Sequence, residues 1–199
     1  MLKIGITGGI GSGKTTVCQI FELFGIPVFY ADAAAKEVMH TDEKLKEGVM
    51  SAFGIQSYLQ DGSLNRKHLA NIVFKDEREL ETLNALVHPA VFRAFDNWVL
   101  DQNASYVIKE AALLFESGSY KMCDHSILVK APEAIKISRV MRRDSISEME
   151  IRNRMNRQFS DLENEKRADF IVFNDEKQLL IPQILSIHER FISMNPIFA

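Results

Sequence analysis

The chain is predicted to fold as a doubly wound α/β domain on a mostly parallel five-stranded sheet, and three observations predict it. A short β-branched run, LKIGIT at 2–7, stops at glycines, as a buried parallel strand does. Apolar residues at helical spacing follow it, and strand-like runs then alternate with helical stretches, the pattern of a parallel sheet covered on both faces. At 199 residues the chain is long for one domain, yet it has no internal repeat, low-complexity segment or Gly/Ser linker. Its departures from the core therefore read as insertions rather than hinged domains.

Taken in order, the first strand leads through glycines into a helix whose Val17, Ile20, Phe21 and Phe24 share one face, with Gly25 and Pro27 as its stop. Residues 27–30 make a second strand that delivers Ala31 and Asp32 at its carboxyl end. Residues 33–53 and 65–102 read as helical: Asn65 and Asp76 are suited to capping, and Val91, Phe92, Phe95, Trp98 and Val99 form an apolar stripe. His88-Pro89 is expected to break this stretch, with Pro89 opening the next helix. Third, fourth and fifth strands are expected at 106–108, 126–129 and 170–173. A helix opens at Pro132 and runs through Met141; Ser147 and Glu150 form a capping box for the next one. The last helix is expected over 176–193, bent at Pro182.

Composition excludes several classes. With 46% hydrophobic and 26% charged residues the chain is ordinary for a globular protein, not for a disordered, collagenous or membrane one. The N-terminus MLKIGITGG is too short an apolar run for a signal peptide, and no stretch reaches the roughly 18 apolar residues of a membrane span. A cytoplasmic protein with no membrane partner is the expectation. Cys18 and Cys123 stand 105 positions apart, outside any metal-binding grouping, and read as reduced packing residues. A net charge of −3 gives no reason to expect nucleic acid as a partner. Between 136 and 157, however, Lys136, Arg139, Arg142, Arg143, Arg152, Arg154 and Arg157 outnumber Asp144, Glu148 and Glu150, so an anion is expected to be met there.

Residues 8–16 read GGIGSGKTT. Gly8-x-x-x-x-Gly13-Lys14-Thr15 is the nucleotide phosphate-loop pattern, with the strand before it and the helix after it that the pattern requires. Glycines let backbone N–H groups turn toward phosphate oxygens, and the helix N-terminus adds partial positive charge. Lys14 is expected to bridge the β- and γ-phosphates and the Thr15 hydroxyl to ligate Mg²⁺. Neither N-K-x-D nor D-x-x-G occurs, which weighs against a switch GTPase; Lys109-Glu110 after the third strand is a weak match to the acidic strand end of a motor ATPase. A small-molecule kinase fits best.

Asp32 lies 17 residues after Thr15 at the end of the second strand, where a carboxylate can accept the proton of an attacking hydroxyl. The competing role is a helix N-cap, since AAAKEVM follows it. Arg139 and Arg143, spaced i, i+4, share a helix face and can clamp phosphoryl oxygens together. The charged stretch around them has the character of a closing lid, its bland alternative being a solvated helix face. None of the five histidines has metal-ligand spacing; His88, beside Pro89, is the one singled out.

Several of these pieces together resemble the dephospho-coenzyme A kinase family: ITGGIGSGKTT (6–16), the Ala-Asp of 31–32, LNALVHP (83–89), ALLFE (112–116), RVMRRD (139–144), RMNRQ (154–158) and Ala168-Asp169 through Asn174. The resemblance spans nearly the whole chain. It implies a single phosphate-loop kinase domain over 1–199, similar in fold to nucleoside monophosphate kinases, with a helical substrate-binding excursion at 33–104 and a lid at 139–168. It also implies that ATP with Mg²⁺ phosphorylates the ribose 3′-hydroxyl of dephospho-CoA, the last step of CoA synthesis. By position, Gly11, Ser12, Gly13, Lys14, Thr15 and Thr16 resemble the binders of the ATP phosphates, Asp32 the base, Arg139 and Arg143 the lid arginines, and Asn174 a residue near adenine. His88 falls in the substrate-binding stretch. The chain departs from the family at Tyr30, where an acidic residue is common, and at Ala112, where proline is. A nucleoside monophosphate kinase and a nucleotide-gated switch are the alternatives, and the oligomeric state is left open.

Overall fold

The computed structural model describes residues 1–194, which fall into two compact units, 31–101 and the remainder. The larger unit carries the sheet. Strands β1 (Leu2–Thr7), β2 (Val28–Tyr30), β3 (Tyr106–Glu110), β4 (His125–Lys130) and β5 (Phe170–Phe173) run in the order β2-β3-β1-β4-β5, every pair parallel. The five strands expected from the sequence are all present, and the sheet is wholly parallel. β1 lies between β3 and β4, with Ile6 beside Glu110 and Ile127. The loop that leaves β1 thus starts at the middle of the sheet, where the strand order reverses and ligands of such folds bind.

One face of the sheet is covered by helices α1 (Lys14–Leu23) and α9 (Leu180–Met194), numbered in chain order. Val17, Cys18 and Phe21 from α1 and Ile184, Ile187 and Phe191 from α9 pack on Ile4, Ile6, Ile108, Ile127, Val129 and Val172. Helical spacing puts each trio on one stripe, which is why the sequence folds this way. Truncating a ring as deep as Phe21 to Ala costs about 3–5 kcal/mol. Tyr106 is also buried, and its hydroxyl hydrogen-bonds His188 Nδ1 at 2.7 Å, so the polar tip does not lose its water unpaid. After β4 come α6 (Glu133–Asp144), α7 (Glu148–Met155) and the short α8 (Asp161–Glu165). Ile137, Val140 and Ile151 form a small second core with Ile10, Ile146 and Met155. The Ser147–Glu150 capping box starts α7 as expected; a second box, Ser160–Glu163, starts α8.

The unit spanning 31–101 is helical, with α2 (Ala31–Thr41), α3 (Glu43–Phe53), α4 (Arg66–Val73) and α5 (Glu77–Leu100). Its buried side chains include Val38, Met39, Leu45, Val49, Leu69, Val91, Phe95 and Val99. Asn65 and Asp76 cap α4 and α5 through backbone N–H groups of His68 and Arg78.

Two expectations need correction. α5 is unbroken from Glu77 to Leu100 with Pro89 inside it, so His88-Pro89 is not a helix break. Proline removes the bond to the carbonyl four residues back and crowds that carbonyl; Pro89 and Ala85 both lie on the exposed side, where the carbonyl can tilt outward and water can replace the bond. The last helix begins at Leu180, not at 176: Asp175 accepts from the N–H groups of Lys177 (3.0 Å) and Gln178 (2.9 Å), and Glu176 is left-handed with φ 64°. Pro182 then sits in the first turn, where no N–H is needed, and α9 is not bent by it from within.

A phosphate loop held from behind

The loop between β1 and α1 is shaped by contacts that exclude side chains. A Cβ on Gly8 would strike the Val129 carbonyl oxygen, and one on Gly13, at φ 94°, would strike the Asn174 amide nitrogen. Only glycine tolerates both the backbone angle and the approach. Gly13 precedes α1 without a side-chain cap, and no acidic residue stands in the first turn. The N–H groups of this first turn, which no side chain caps, favour an anion together with the helix dipole. Thr15 and Thr16 are exposed at this turn. Lys14 Nζ donates to the carbonyl oxygens of Gly8 (2.8 Å) and Gly9 (3.5 Å). The buried Ser12 hydroxyl oxygen has no hydrogen-bond partner among the described residues. Gly11, Ser12, Gly13, Lys14, Thr15 and Thr16 are thus brought together by the chain itself.

Arg139 and Asn174 reach this loop from α6 and from the end of β5. Asn174 Nδ2 donates to the Ser12 carbonyl at 2.9 Å. The Arg139 guanidinium lies 3.5 Å from the same carbonyl, and also bonds the Asn174 backbone oxygen (3.2 Å), the Asn174 side-chain oxygen (3.3 Å) and Glu176 (3.1 Å). Arg143, on the same helix, is directed elsewhere: it pairs with Asp144 at 2.6 and 2.9 Å, and Arg154 lies 3.7 Å from the same carboxylate. The Arg143 guanidinium holds the Asp144 carboxyl below the usual carboxylate range. Despite their shared face, Arg139 and Arg143 do not meet a common partner. Lys136, counted among the local basic excess, is buried and paired with Asp161 at 2.7 Å.

Asp32 occupies the first turn of α2, which follows β2 directly. It is inside the helix, so the N-cap role drops away. Its carboxylate is exposed and accepts no hydrogen bond from the described residues. His88 lies in α5 with its ring stacked on Phe92 at 6.3 Å.

Two further residues bear on the loop, though the sequence assigned neither a contact with it. Glu110 is buried at the carboxyl end of β3, beside β1. Burial pushes the Cys18 thiol of α1 well up, the Glu110 and Glu22 carboxylates push it further, and Lys14 opposes them, so Glu110 shares an electrostatic neighbourhood with the loop helix. The acidic residue ending the strand next to β1 was the available signal. Gln158, which closes the RMNRQ stretch after α7, accepts from the Ile10 N–H at 2.9 Å; nothing in that stretch pointed to a bond with the loop.

The donor set fits a nucleotide phosphate and its metal. Mg²⁺ keeps several waters and takes few protein ligands beside phosphate oxygens, and the exposed Thr15 hydroxyl is an oxygen of the kind it takes. Among the described residues no cluster of three His, Cys, Asp or Glu forms a separate metal centre. No described helix is long and apolar enough to cross a membrane.

A parallel sheet reversing at β1, a glycine loop and an uncapped helix bearing Lys14 and Thr15 define a phosphate-loop kinase fold. The profile of the CoaE dephospho-CoA kinase family matches residues 2–179, and the chain belongs to that family. A dephospho-CoA kinase of Salinibacter ruber is 44% identical over 178 residues, covering 88% of this chain and 89% of that protein. The crystal structure of TT1252 from Thermus thermophilus superposes with a TM-score of 0.83 at 33% identity, covering 95% and 96% of the two chains. A dephospho-CoA kinase structure from Campylobacter jejuni gives a TM-score of 0.70 at 25% identity, covering 97% and 98%. The expected family and fold class are borne out, and nothing favours a nucleoside monophosphate kinase or a switch.

Proposed function

We infer that the protein transfers the γ-phosphoryl group of ATP to the ribose 3′-hydroxyl of dephospho-CoA, giving CoA and ADP. The observation that carries this reading is the complete phosphate loop, Lys14 and Thr15 at the uncapped start of α1, in a chain of this family. Lys14 exchanges its carbonyl partners Gly8 and Gly9 for the β- and γ-phosphate oxygens, following the charge as it moves in transfer. The N–H groups from Gly11 to Thr16 hold the phosphates. The Thr15 hydroxyl would hold Mg²⁺, which would supply charge neutralisation at the phosphates. Asp32 takes the proton of the acceptor hydroxyl; a carboxylate with no competing hydrogen bond has its lone pairs free for that work. Arg139 and Arg143 stabilise phosphoryl oxygens, and for Arg143 this requires leaving Asp144. Asn174 stands at the adenine side, and His88 belongs to the helical unit that receives dephospho-CoA. Residues 33–104 form the substrate-binding excursion and 139–168 the lid. The reaction is placed in the cytoplasm, with a small molecule as the partner.

The test is ADP release in the presence of ATP and Mg²⁺ across dephospho-CoA, CMP, AMP and adenosine. ADP should appear at speed with dephospho-CoA alone. Equal release with CMP or AMP, or slow release indifferent to every acceptor, would overturn the reading.

A further inference from the structure

We propose that Gln158 is a positioning residue for this phosphoryl transfer, setting the peptide plane between Gly9 and Ile10 of the phosphate loop; the proposal rests on the kinase reading above. Gln158 Oε1 accepts the Ile10 N–H at 2.9 Å, and its Nε2 donates to the Ala112 carbonyl at 3.3 Å. That carbonyl also lies 3.5 Å from the buried Thr7 hydroxyl. One side chain therefore ties the tip of the loop to the carbonyl that meets the loop's first strand.

The consequence follows from the planarity of the peptide. The N–H and C=O of one trans unit point in opposite directions, so holding Ile10 N–H outward turns the Gly9 carbonyl inward. There it accepts the Ser12 N–H at 3.0 Å, closing the inner turn, and lies 3.5 Å from Lys14 Nζ. Glycine at position 9 would otherwise let this plane rotate cheaply. Ile10 is held twice, since its side chain packs with Ile137, Val140 and Ile151.

Gln158 is itself well fixed. Its N–H bonds the Met155 carbonyl at 3.0 Å, the next residue's N–H donates to Glu116 Oε1 at 2.7 Å, and the α8 capping box begins two residues on. A side chain locked by its surroundings can orient another group; a loose one cannot. Its location between α7 and α8 couples the loop to the segment proposed as the lid.

The test compares Gln158→Met, which keeps shape and loses both bonds, with Gln158→Glu, which keeps the acceptor for Ile10. Site-resolved amide exchange without nucleotide, calorimetric ATP binding, and steady-state kinetics are measured on the full chain. In Gln158→Met the Ile10 amide should exchange roughly tenfold faster or more. ATP should bind more weakly and kcat fall about tenfold, with KM for dephospho-CoA little changed. Gln158→Glu should retain Ile10 protection, a distinction that general loss of structure would not produce. Unchanged Ile10 exchange in Gln158→Met overturns the proposal, as does faster exchange with unaltered ATP binding and kcat. If Gln158→Met does not fold, loss of Ile10 protection in a folded Gln158→Glu overturns it instead. Failure of the unmodified protein to phosphorylate dephospho-CoA would sink the functional reading alone, because exchange and ATP binding still decide the role of Gln158.

Discussion

The phosphate loop and the first turn of α2 are built in opposite ways. The loop is held by residues far along the chain: Asn174 on the Ser12 carbonyl, Arg139 beside it, Gln158 on Ile10 and the Lys136–Asp161 pair at its edge. Asp32, two residues past the end of β2, is exposed and takes no hydrogen bond from any described residue. Pre-set geometry suits a group that must cradle charge, because donors then need not reorganise as charge moves. A proton acceptor needs the reverse, a lone pair left free for its substrate.

The largest effect expected on this contrast is at Asp32. Asp32→Asn keeps size but removes the accepting charge, so kcat should fall about 10²- to 10⁴-fold with ATP affinity little changed. Since Asp32 lies within α2 and not at its cap, the melting temperature should barely move. A folded variant with normal kcat would remove Asp32 from the mechanism and turn attention to Glu110, Glu116 and His88.

Lys14→Ala comes next. Losing the charge that follows the phosphates should cost on the order of 3 kcal/mol of transition-state stabilisation, roughly a hundredfold or more in kcat/KM. The fold should persist, because Lys14 is half-buried in the loop and lies outside the hydrophobic core. Circular dichroism with initial rates checks both halves; near-normal turnover would break the assignment of the loop.

The two arginines sharpen the comparison further. Arg139→Ala and Arg143→Ala should each lower kcat by about tenfold or more. Only Arg139→Ala should also weaken ATP binding, because only Arg139 touches the Ser12 carbonyl and Asn174. Calorimetry separates them, and equal ATP affinities would mean that the Arg139 contacts do not shape the loop.

These contrasts track what the sequence made legible. Local signals were enough for the five strands, for the glycine loop and for the position of Asp32 just past the end of β2. The grip on the loop was not legible, because Gln158 and Ile10 are separated by 148 positions and Asn174 and Ser12 by 162, and no local period links them. Pro89 misled because propensity weighs a missing hydrogen bond without knowing that the site faces water. Asp175 hid the true start of α9 by capping a turn that a helical pattern had absorbed.

The smallest effect lies away from both regions. Burial holds the His188 imidazole below its ordinary value of 6.5, opposed by Glu189. A base depressed on folding adds stability above its unfolded value and loses it as pH falls through the folded one. Melting temperature should therefore decline from pH 7 toward pH 5 more steeply in the unmodified protein than in His188→Gln, by a few degrees at most for a domain of this size. Identical slopes would show that the Tyr106–His188 bond does not report this proton.

The central claim is that a fixed loop and an unencumbered carboxylate together move one phosphoryl group onto a ribose hydroxyl. Its most direct measurement is the product itself: dephospho-CoA incubated with ATP, Mg²⁺ and the protein, then examined by mass and by phosphorus NMR. The account predicts an acceptor heavier by one phosphoryl group, with a new phosphomonoester on the ribose 3′-oxygen, formed in step with ADP. ADP formed while dephospho-CoA keeps its mass, or a phosphoryl group found at another oxygen, would contradict it.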